Sequence, residues 1–311
     1  MSRQPSIAYE SGVQTPEWGF GRFPIFDGAM GTALLARGFY GDPVLVNASD
    51  ADAITEIHRE YIHAGATVIT TNTFGAYCHK YENAAALIQA ATGHAKAAIR
   101  ATGAQGKVKV ALDMGPLGEM LAPFGDMTQE DAYAIFLHSA EAGAQSGADL
   151  ILIETFFCTA ELEAAVRASK TTGLPVFATM TFDKNGRTVM GTSIGDMVNL
   201  LEGLGVDALG MNCGFGPEAY KNLLPELLGV TQLPALVQPN AGLPEIVDGK
   251  MVYAQTPEEF AQIMKEISAL GCTYLGGCCG TTPAHIAAMV KAVMNETTKI
   301  GEAARISGDL F

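Results

Sequence analysis

Short, almost uninterrupted apolar runs alternate with helical stretches along nearly the whole chain. Runs of this kind are typical of parallel strands that are buried on both faces of a sheet. Gly, Pro and polar residues separate the runs from the stretches that follow them. The predicted strands are 24–26, 67–71, 108–113, 150–154, 176–181, 208–212, 235–238 and 274–276.

The stretches between these strands have helical periodicity, and several begin near Ser, Asp, Thr or Pro, as helix capping favours. The predicted helices are 51–64, 82–101, 129–146, 160–172, 217–228, 257–270 and 283–294. Eight such βα units fit a closed barrel better than an open doubly wound sheet. We therefore predict a single-domain (β/α)₈ TIM barrel over residues 21–295, with an amino-terminal extension (1–20) and a carboxy-terminal tail (296–311).

The composition limits the classes of partner. A chain of 311 residues with 48% hydrophobic content can bury a large core, and its net charge of −14 repels nucleic acid and anionic membranes. No apolar run is long enough for a membrane span or a signal peptide, so we expect a cytoplasmic protein with a small-molecule or protein partner. Six cysteines are too sparse for a disulfide scaffold, and clustered ones then indicate metal binding or catalysis.

Three cysteines follow the ends of predicted strands. Cys213 comes after the sixth strand, and Cys278 and Cys279 lie in the segment Gly-Gly-Cys-Cys-Gly-Thr-Thr-Pro after the eighth. Adjacent side chains on a regular strand point to opposite faces, so we expect the neighbouring glycines to bend the backbone until both sulfurs reach one ion. Three thiolates leave one position of tetrahedral zinc open, which is typical of a catalytic site.

The alternatives for these cysteines are a closed structural zinc site, unligated thiols or a vicinal disulfide. A structural site needs a fourth ligand that no nearby His or Cys supplies, and a vicinal disulfide is strained. Zinc with three thiolates would deprotonate a bound thiol and leave its sulfur nucleophilic, which favours sulfur alkylation.

Other polar residues also follow strand ends, where barrel enzymes carry their active sites. Asp27 is either a site residue or a helix cap, whereas Glu154 is costly to bury without a partner. Asn72 and Thr73 either line a pocket or satisfy local backbone groups, and Asn240 is either a metal ligand or a turn residue.

Several segments together resemble the zinc-dependent homocysteine S-methyltransferases, and most closely the homocysteine-binding barrel of cobalamin-dependent methionine synthase. The resemblance covers nearly the whole chain, and its most specific part is the Gly-Gly-Cys-Cys segment. Its other parts are Phe-Asp-Gly-Ala-Met-Gly-Thr (26–32), Thr-Asn-Thr-Phe (71–74), Ile-Glu-Thr-Phe (153–156), Met-Asn-Cys (211–213) and Gln-Pro-Asn-Ala-Gly (238–242).

This resemblance implies that Cys213, Cys278 and Cys279 bind zinc and that the homocysteine thiol takes the remaining position, which Asn240 occupies beforehand. It also implies that Asp27 and Glu154 receive the substrate ammonium group. Thr73 belongs to the implied substrate site. Backbone N–H groups of the turn Gly28, Ala29, Met30 and Gly31 would hold the carboxylate, because such a turn opening a helix binds anions.

The function that follows is methyl transfer to homocysteine thiolate, giving methionine. The expected donor is methylcobalamin on a separate corrinoid protein, because the motifs resemble methionine synthase more closely than the onium-using branches of the family. The alternatives are a small onium donor (S-methylmethionine, S-adenosylmethionine or betaine), a different thiol or selenol as acceptor, a non-catalytic zinc- or thiol-binding subunit, and a phosphate-binding barrel isomerase or lyase with a structural metal.

Overall fold

A curled, seven-stranded parallel sheet forms the centre of the computed structural model, which describes residues 24–247 and 250–294. The predicted extension (1–20) and tail (296–311) lie outside the described residues. The strands follow one another around the sheet in the order β1-β2-β3-β4-β5-β6-β9. Their bounds are Val68–Thr70 (β1), Lys109–Met114 (β2), Leu150–Phe156 (β3), Val176–Met180 (β4), Ala208–Cys213 (β5), Ala235–Pro239 (β6) and Tyr274–Leu275 (β9).

The predicted first strand, 24–26, contacts both edges of this sheet. Phe26 N–H donates to the Leu275 carbonyl of β9 at 2.7 Å, and Asp27 N–H donates to the Val68 carbonyl of β1 at 3.0 Å. These contacts are isolated bridges, because the run is short and Pro24 has no N–H to extend a ladder. The prediction of an α/β fold on a parallel sheet is confirmed, but the sheet itself has seven strands where we predicted eight.

Helices connect the strands and cover the outer face of the sheet. Their bounds are Gly31–Ala36 (α1), Val46–Ser49 (α2), Ala51–His63 (α3), Ala84–Ala101 (α4), Gln129–Gln145 (α5), Thr159–Lys170 (α6), Ile194–Gly203 (α7), Pro217–Val230 (α8), Pro257–Ala269 (α9) and 283–294 (α10). No helix within the described ranges is both long and apolar enough to cross a membrane.

The predicted elements did not include the short helix α2, helix α7 or strands β7 and β8. Helix α7 begins at a capping box in which Ser193 and Asp196 each bond the other's backbone N–H, so its start was readable from the sequence. Strands β7 (Pro244–Val247) and β8 (Lys250–Tyr253) form an antiparallel hairpin after β6. All of β7 is exposed, so the hairpin projects from the sheet beside the carboxyl end of β6.

Side-chain alternation along the strands divides the core in two. On β3, Leu150 and Leu152 belong to a cluster inside the curled sheet with the aromatic rings of Phe26, Phe177 and Tyr274. Ile151 and Ile153 belong to the larger cluster that packs the sheet against the helices. This period-two pattern on buried parallel strands fills both layers, and it leaves the carboxyl ends of the strands for polar residues.

Candidate metal and substrate site

Three cysteine sulfurs meet at the carboxyl ends of the strands. Cys213 ends β5, and Cys278 and Cys279 follow β9; their Sγ atoms all lie within 4.8 Å of one another. The segment after β9 is held against β6, because Cys278 N–H donates to the Pro239 carbonyl at 2.8 Å and Ala241 N–H donates to the Cys279 carbonyl at 3.0 Å. The structure therefore brings the predicted trio together from two distant parts of the chain.

The bend after Cys279 depends on glycine. Gly280 has φ +77°, a left-handed conformation that costs side-chain-bearing residues energy. A Cβ atom at this position would lie only 2.1 Å from Cγ of Tyr253, whose ring packs directly over the glycine. The bend places both adjacent cysteines on one side of the segment, and it seats Tyr253 of the hairpin beside them.

The donor set suits zinc. Thiolates are soft ligands that select zinc over magnesium or calcium. Hydrogen bonds from the Cys213 and Cys278 thiols lower the pKa of the Cys279 thiol, and hydrogen bonds within the trio raise the pKa of Cys278. Asn240 lies between Pro239 and Ala241, which bind the cysteine backbone, and its buried Oδ1 has no hydrogen-bond partner within the described residues. Asn240 is not among the described residues that line the cavity beside the cysteines, so its role as a displaceable fourth ligand stays a prediction.

A cavity of about 350 Å³ opens beside the cysteines. Among the described residues that line it, none is Lys, Arg or His, whereas three are carboxylic acids. The chemically reactive part of the lining is Asp27, Asp113, Glu154, Cys213, Cys278 and Cys279. The cavity therefore favours a ligand that carries both a positive group and a metal-binding atom.

Asp27 is buried in this cavity wall, at 2% exposure. Its two carboxylate oxygens accept hydrogen bonds from the backbone N–H and the hydroxyl of Thr70, at 2.9 and 3.0 Å. Burial raises the pKa of Asp27 to about 7, an effect that these hydrogen bonds only partly offset. Asp27 is not the cap of α1, because the N-cap is Met30 and no side chain caps that helix.

Glu154 reaches the cavity because β3 is irregular there. The register between β3 and β4 shifts between Ile153 and Phe156, and Thr155 has φ +68°. A bulge of this kind redirects a side chain at the rim of a sheet. Burial, and then the charges of Cys279 and Asp27, raise the pKa of Glu154 to about 8.

Asp113 is a third carboxylate that we did not predict. It lies on β2 at 8% exposure, and its Oδ1 has no partner within the described residues. Burial and the charges of Glu154 and Asp27 raise its pKa well above the usual value. The signal that could have found it is the one that identified Glu154, a lone acid at the end of an apolar strand.

The remaining predicted residues are placed differently from one another. Asn72 lines the cavity and also donates to the Pro43 carbonyl at 2.7 Å. Thr73 is not among the lining residues, and its hydroxyl donates to the Asp113 carbonyl at 2.7 Å. Residues 28–31 all line the cavity where α1 begins.

Asn212, Gln238 and Tyr253 complete the site, and we did not single them out as site residues. Gln238 and Tyr253 line the cavity, and the Oε1 atom of Gln238 is buried without a partner in the described part of the chain. Asn212 contacts both Glu154 and Cys278. Asn212 and Gln238 lie in motifs that carry the family resemblance, whereas Tyr253 belongs to the unpredicted hairpin.

Comparison with known proteins agrees with this arrangement. The family model for homocysteine S-methyltransferase matches residues 24–293. The chain belongs to the homocysteine S-methyltransferase family. The match spans every strand of the sheet and all three clustered cysteines.

The chain is also similar to part of two longer proteins. Methionine synthase of Mycobacterium tuberculosis is 34% identical over 296 residues, which are 88% of this chain and 25% of that protein. Methionine synthase of Mycobacterium leprae is also 34% identical, over 294 residues. The chain thus spans about a quarter of the length of these relatives.

Solved structures of the homocysteine methyltransferase MmuM from Escherichia coli share the fold over nearly their whole length. The metallated form has a TM-score of 0.74 and 29% sequence identity, and the match covers 86% of this chain and 96% of that one. The apo form has a TM-score of 0.70 and covers 88% of this chain. The curled α/β sheet is therefore one that this structural relative shares.

Proposed function

We propose that this protein methylates homocysteine on sulfur, giving methionine, with zinc held by Cys213, Cys278 and Cys279. The observation that carries the proposal is the single cavity in which the three sulfurs face Asp27, Glu154 and Asp113. Homocysteine carries a thiol and an ammonium group separated by a short carbon chain, so it matches both ends of this cavity. Family membership and the metallated MmuM structure support the same function.

Zinc, when bound, supplies a Lewis acid that keeps a thiol ligand deprotonated near neutral pH. The protein's own groups orient the substrate. Asp27 and Glu154 receive the ammonium group, and Asp113 adds a third carboxyl group to the lining of the same cavity. The carboxylate of homocysteine would lie at the start of α1, where no side chain caps the helix. The homocysteine sulfur then forms a bond to the donor's methyl carbon as the carbon–donor bond breaks, and the donor keeps that electron pair.

We further infer that residues 24–26 complete the barrel as its eighth strand. Hydrogen bonds from Phe26 and Asp27 to both edge strands support this closure. Asp27 also lies next to Gly277, whose N–H donates to the Asp27 carbonyl at 3.0 Å. Closure would thereby join the ammonium end and the metal end of the site in one rigid ring.

The proposed methyl donor is a methyl-corrinoid group on a partner protein. Similarity to the methionine synthases supports it. The hairpin at the cavity mouth exposes the apolar side chains of Ile246 and Met251, and exposed apolar groups of this kind are typical of surfaces that contact another protein. A partner protein that carries a large donor would have to reach an open site here. The second candidate is a small onium compound, which three carboxyl groups without a Lys, Arg or His in the described lining favour. The same carboxylates disfavour a phosphate substrate, since like charges repel.

Zinc-edge X-ray absorption with and without L-homocysteine tests the proposal. We expect zinc with three sulfur ligands in the free protein and four after homocysteine is added. A coordination shell that does not change, or a protein that takes up no zinc, would refute it. Turnover with methylcobalamin, S-methylmethionine, S-adenosylmethionine and betaine, each supplied separately, then identifies the donor.

A further inference from the structure

Asn212 joins the two ends of the site. It is fully buried at the end of β5, one residue before Cys213. Its amide nitrogen lies 3.2 Å from Oε2 of Glu154 and 3.9 Å from Sγ of Cys278. It also lies 2.8 Å from Oγ1 of Thr155. A single side chain therefore touches a proposed metal ligand and a proposed ammonium-binding carboxylate.

The other polar atoms of Asn212 are held as well. Its amide oxygen accepts hydrogen bonds from Thr155 N–H and from the Thr179 hydroxyl, each at 2.8 Å. Its backbone carbonyl accepts from the hydroxyls of Thr181 at 3.0 Å and Tyr220 at 2.8 Å. Because the side-chain amide is bonded by groups of β3 and β4, and the backbone carbonyl is bonded as well, the side chain has one well-defined position.

Asn212 also contacts two residues with uncommon backbone conformations. Thr155 and Cys213 are the non-glycine residues with positive φ among those described, at +68° and +60°. Thr155 donates its N–H to the Asn212 side chain, and Cys213 follows Asn212 directly in the sequence. Conformations of this kind persist only where the surroundings hold them, and they cluster at functional sites.

We propose that Asn212 is a positioning residue that selects the length of the amino thiol. This inference rests on the proposed function, in which the substrate is bound by its sulfur near Cys278 and by its ammonium near Glu154. Asn212 fixes the distance between Cys278 and Glu154. Cysteine is shorter than homocysteine by one methylene, about 1.5 Å of reach, so it cannot satisfy both ends at once.

An amide is the side chain that this position requires. One N–H is donated to Thr155 Oγ1 and the other points toward Glu154 and Cys278, while the amide oxygen accepts from Thr155 N–H and the Thr179 hydroxyl. An ionised aspartate is almost isosteric but has no N–H to donate, so it cannot hold Glu154 as the amide does. In Asn212→Asp, we therefore expect Glu154 to move away from its present place while the packing is kept.

The test compares thiols on zinc-loaded protein by titration calorimetry. The probes are L-homocysteine, L-cysteine and 4-mercaptobutyrate, which has the length of homocysteine but no ammonium group. In the wild type, we expect homocysteine to bind more tightly than both. In Asn212→Asp, we expect each preference to fall about tenfold or more while zinc content is unchanged. Asn185→Asp, an exposed loop position, is the matched control and should keep both preferences.

An unchanged preference in folded, zinc-loaded Asn212→Asp overturns the inference, as does an equal loss of affinity for all three thiols. If that variant does not fold or loses zinc, Thr179→Val decides, because it removes one hydrogen bond to Asn212 and leaves the amide in place. We expect it to lower the same two preferences by a smaller factor, and unaltered preferences overturn the inference. A wild type that binds no homocysteine overturns the proposed function itself, which distinguishes the two failures.

Discussion

Both carboxylate oxygens of Asp27 accept hydrogen bonds from one residue, Thr70: one from its backbone N–H at 2.9 Å and one from its hydroxyl at 3.0 Å. These neutral donors orient the carboxylate without neutralising it. The cavity lining described in the structure contains no Lys, Arg or His that could do so. The Asp27 carboxyl group is therefore left to pair with a cationic group of the ligand.

Replacing Asp27 by Asn should weaken homocysteine binding by at least about tenfold, because hydrogen bonds to charged groups contribute about 1.5–3 kcal/mol. The local structure should survive, since the Thr70 hydroxyl can rotate to accept from the new amide. Calorimetric titration of the zinc-loaded variant measures the loss. Asp52→Asn, at an exposed position on α3, is the control for the change in charge, and equal affinities in all three proteins would remove Asp27 from the site.

Asp27 should also make the stability of the ligand-free protein depend on pH. Burial raises its pKa from 3.8 to about 7, so between these values the folded state binds more protons than the unfolded state. The contribution of Asp27 to the free energy of unfolding is fully present below pH 3.8 and is lost as the pH rises through about 7. The free energy of unfolding of Asp27→Asn, measured relative to that of the wild type, should therefore be higher at pH 8 than at pH 5. Urea unfolding at the two pH values measures this, and parallel pH profiles would contradict it.

The strand positions were predictable because each buried parallel strand is a compact apolar run with its own boundary signals. The observed strands β3, β5 and β6 differ from the predicted runs by no more than two residues at either end. The hairpin was missed because its residues are exposed, so no core face imposes a clear pattern on them. The sequence does contain Asp248-Gly249 between two short runs, which is a recognised hairpin signal.

The candidate site was predictable where its chemistry is rare in sequence and not where it depends on backbone detail. Adjacent cysteines stand out in any chain, so the trio was found. The positive φ of Thr155 aims Glu154 into the cavity, but threonine seldom adopts that conformation and nothing local indicates it. Asn212 lies in a quoted motif, yet its contacts with Glu154 and Cys278 bridge 58 and 66 residues and only folding brings them together.

Replacing any one of Cys213, Cys278 and Cys279 by Ala should abolish tight zinc binding while the protein stays folded. The fold does not need the metal, because the apolar clusters on both faces of the sheet are built without these residues. Zinc content after dialysis and circular dichroism measure the two effects. Cys158→Ser, which alters a free cysteine outside the trio, should retain zinc. Unfolding of the alanine variants would instead indicate a structural metal site.

Gly280 gives a test of the bend that presents Cys279. Both Gly280 and Gly106 have positive φ, at +77° and +74°, so alanine at either position should destabilise the fold by about 1–2 kcal/mol. Only at Gly280 would the new Cβ meet the ring of Tyr253, whereas at Gly106 nothing lies within 4 Å. We expect Gly280→Ala to displace Tyr253 or Cys279 and to lower zinc and homocysteine affinity by at least about tenfold. Gly106→Ala should lose stability alone. If the two variants bind zinc and homocysteine equally well, the close packing of Tyr253 on this glycine does not shape the site.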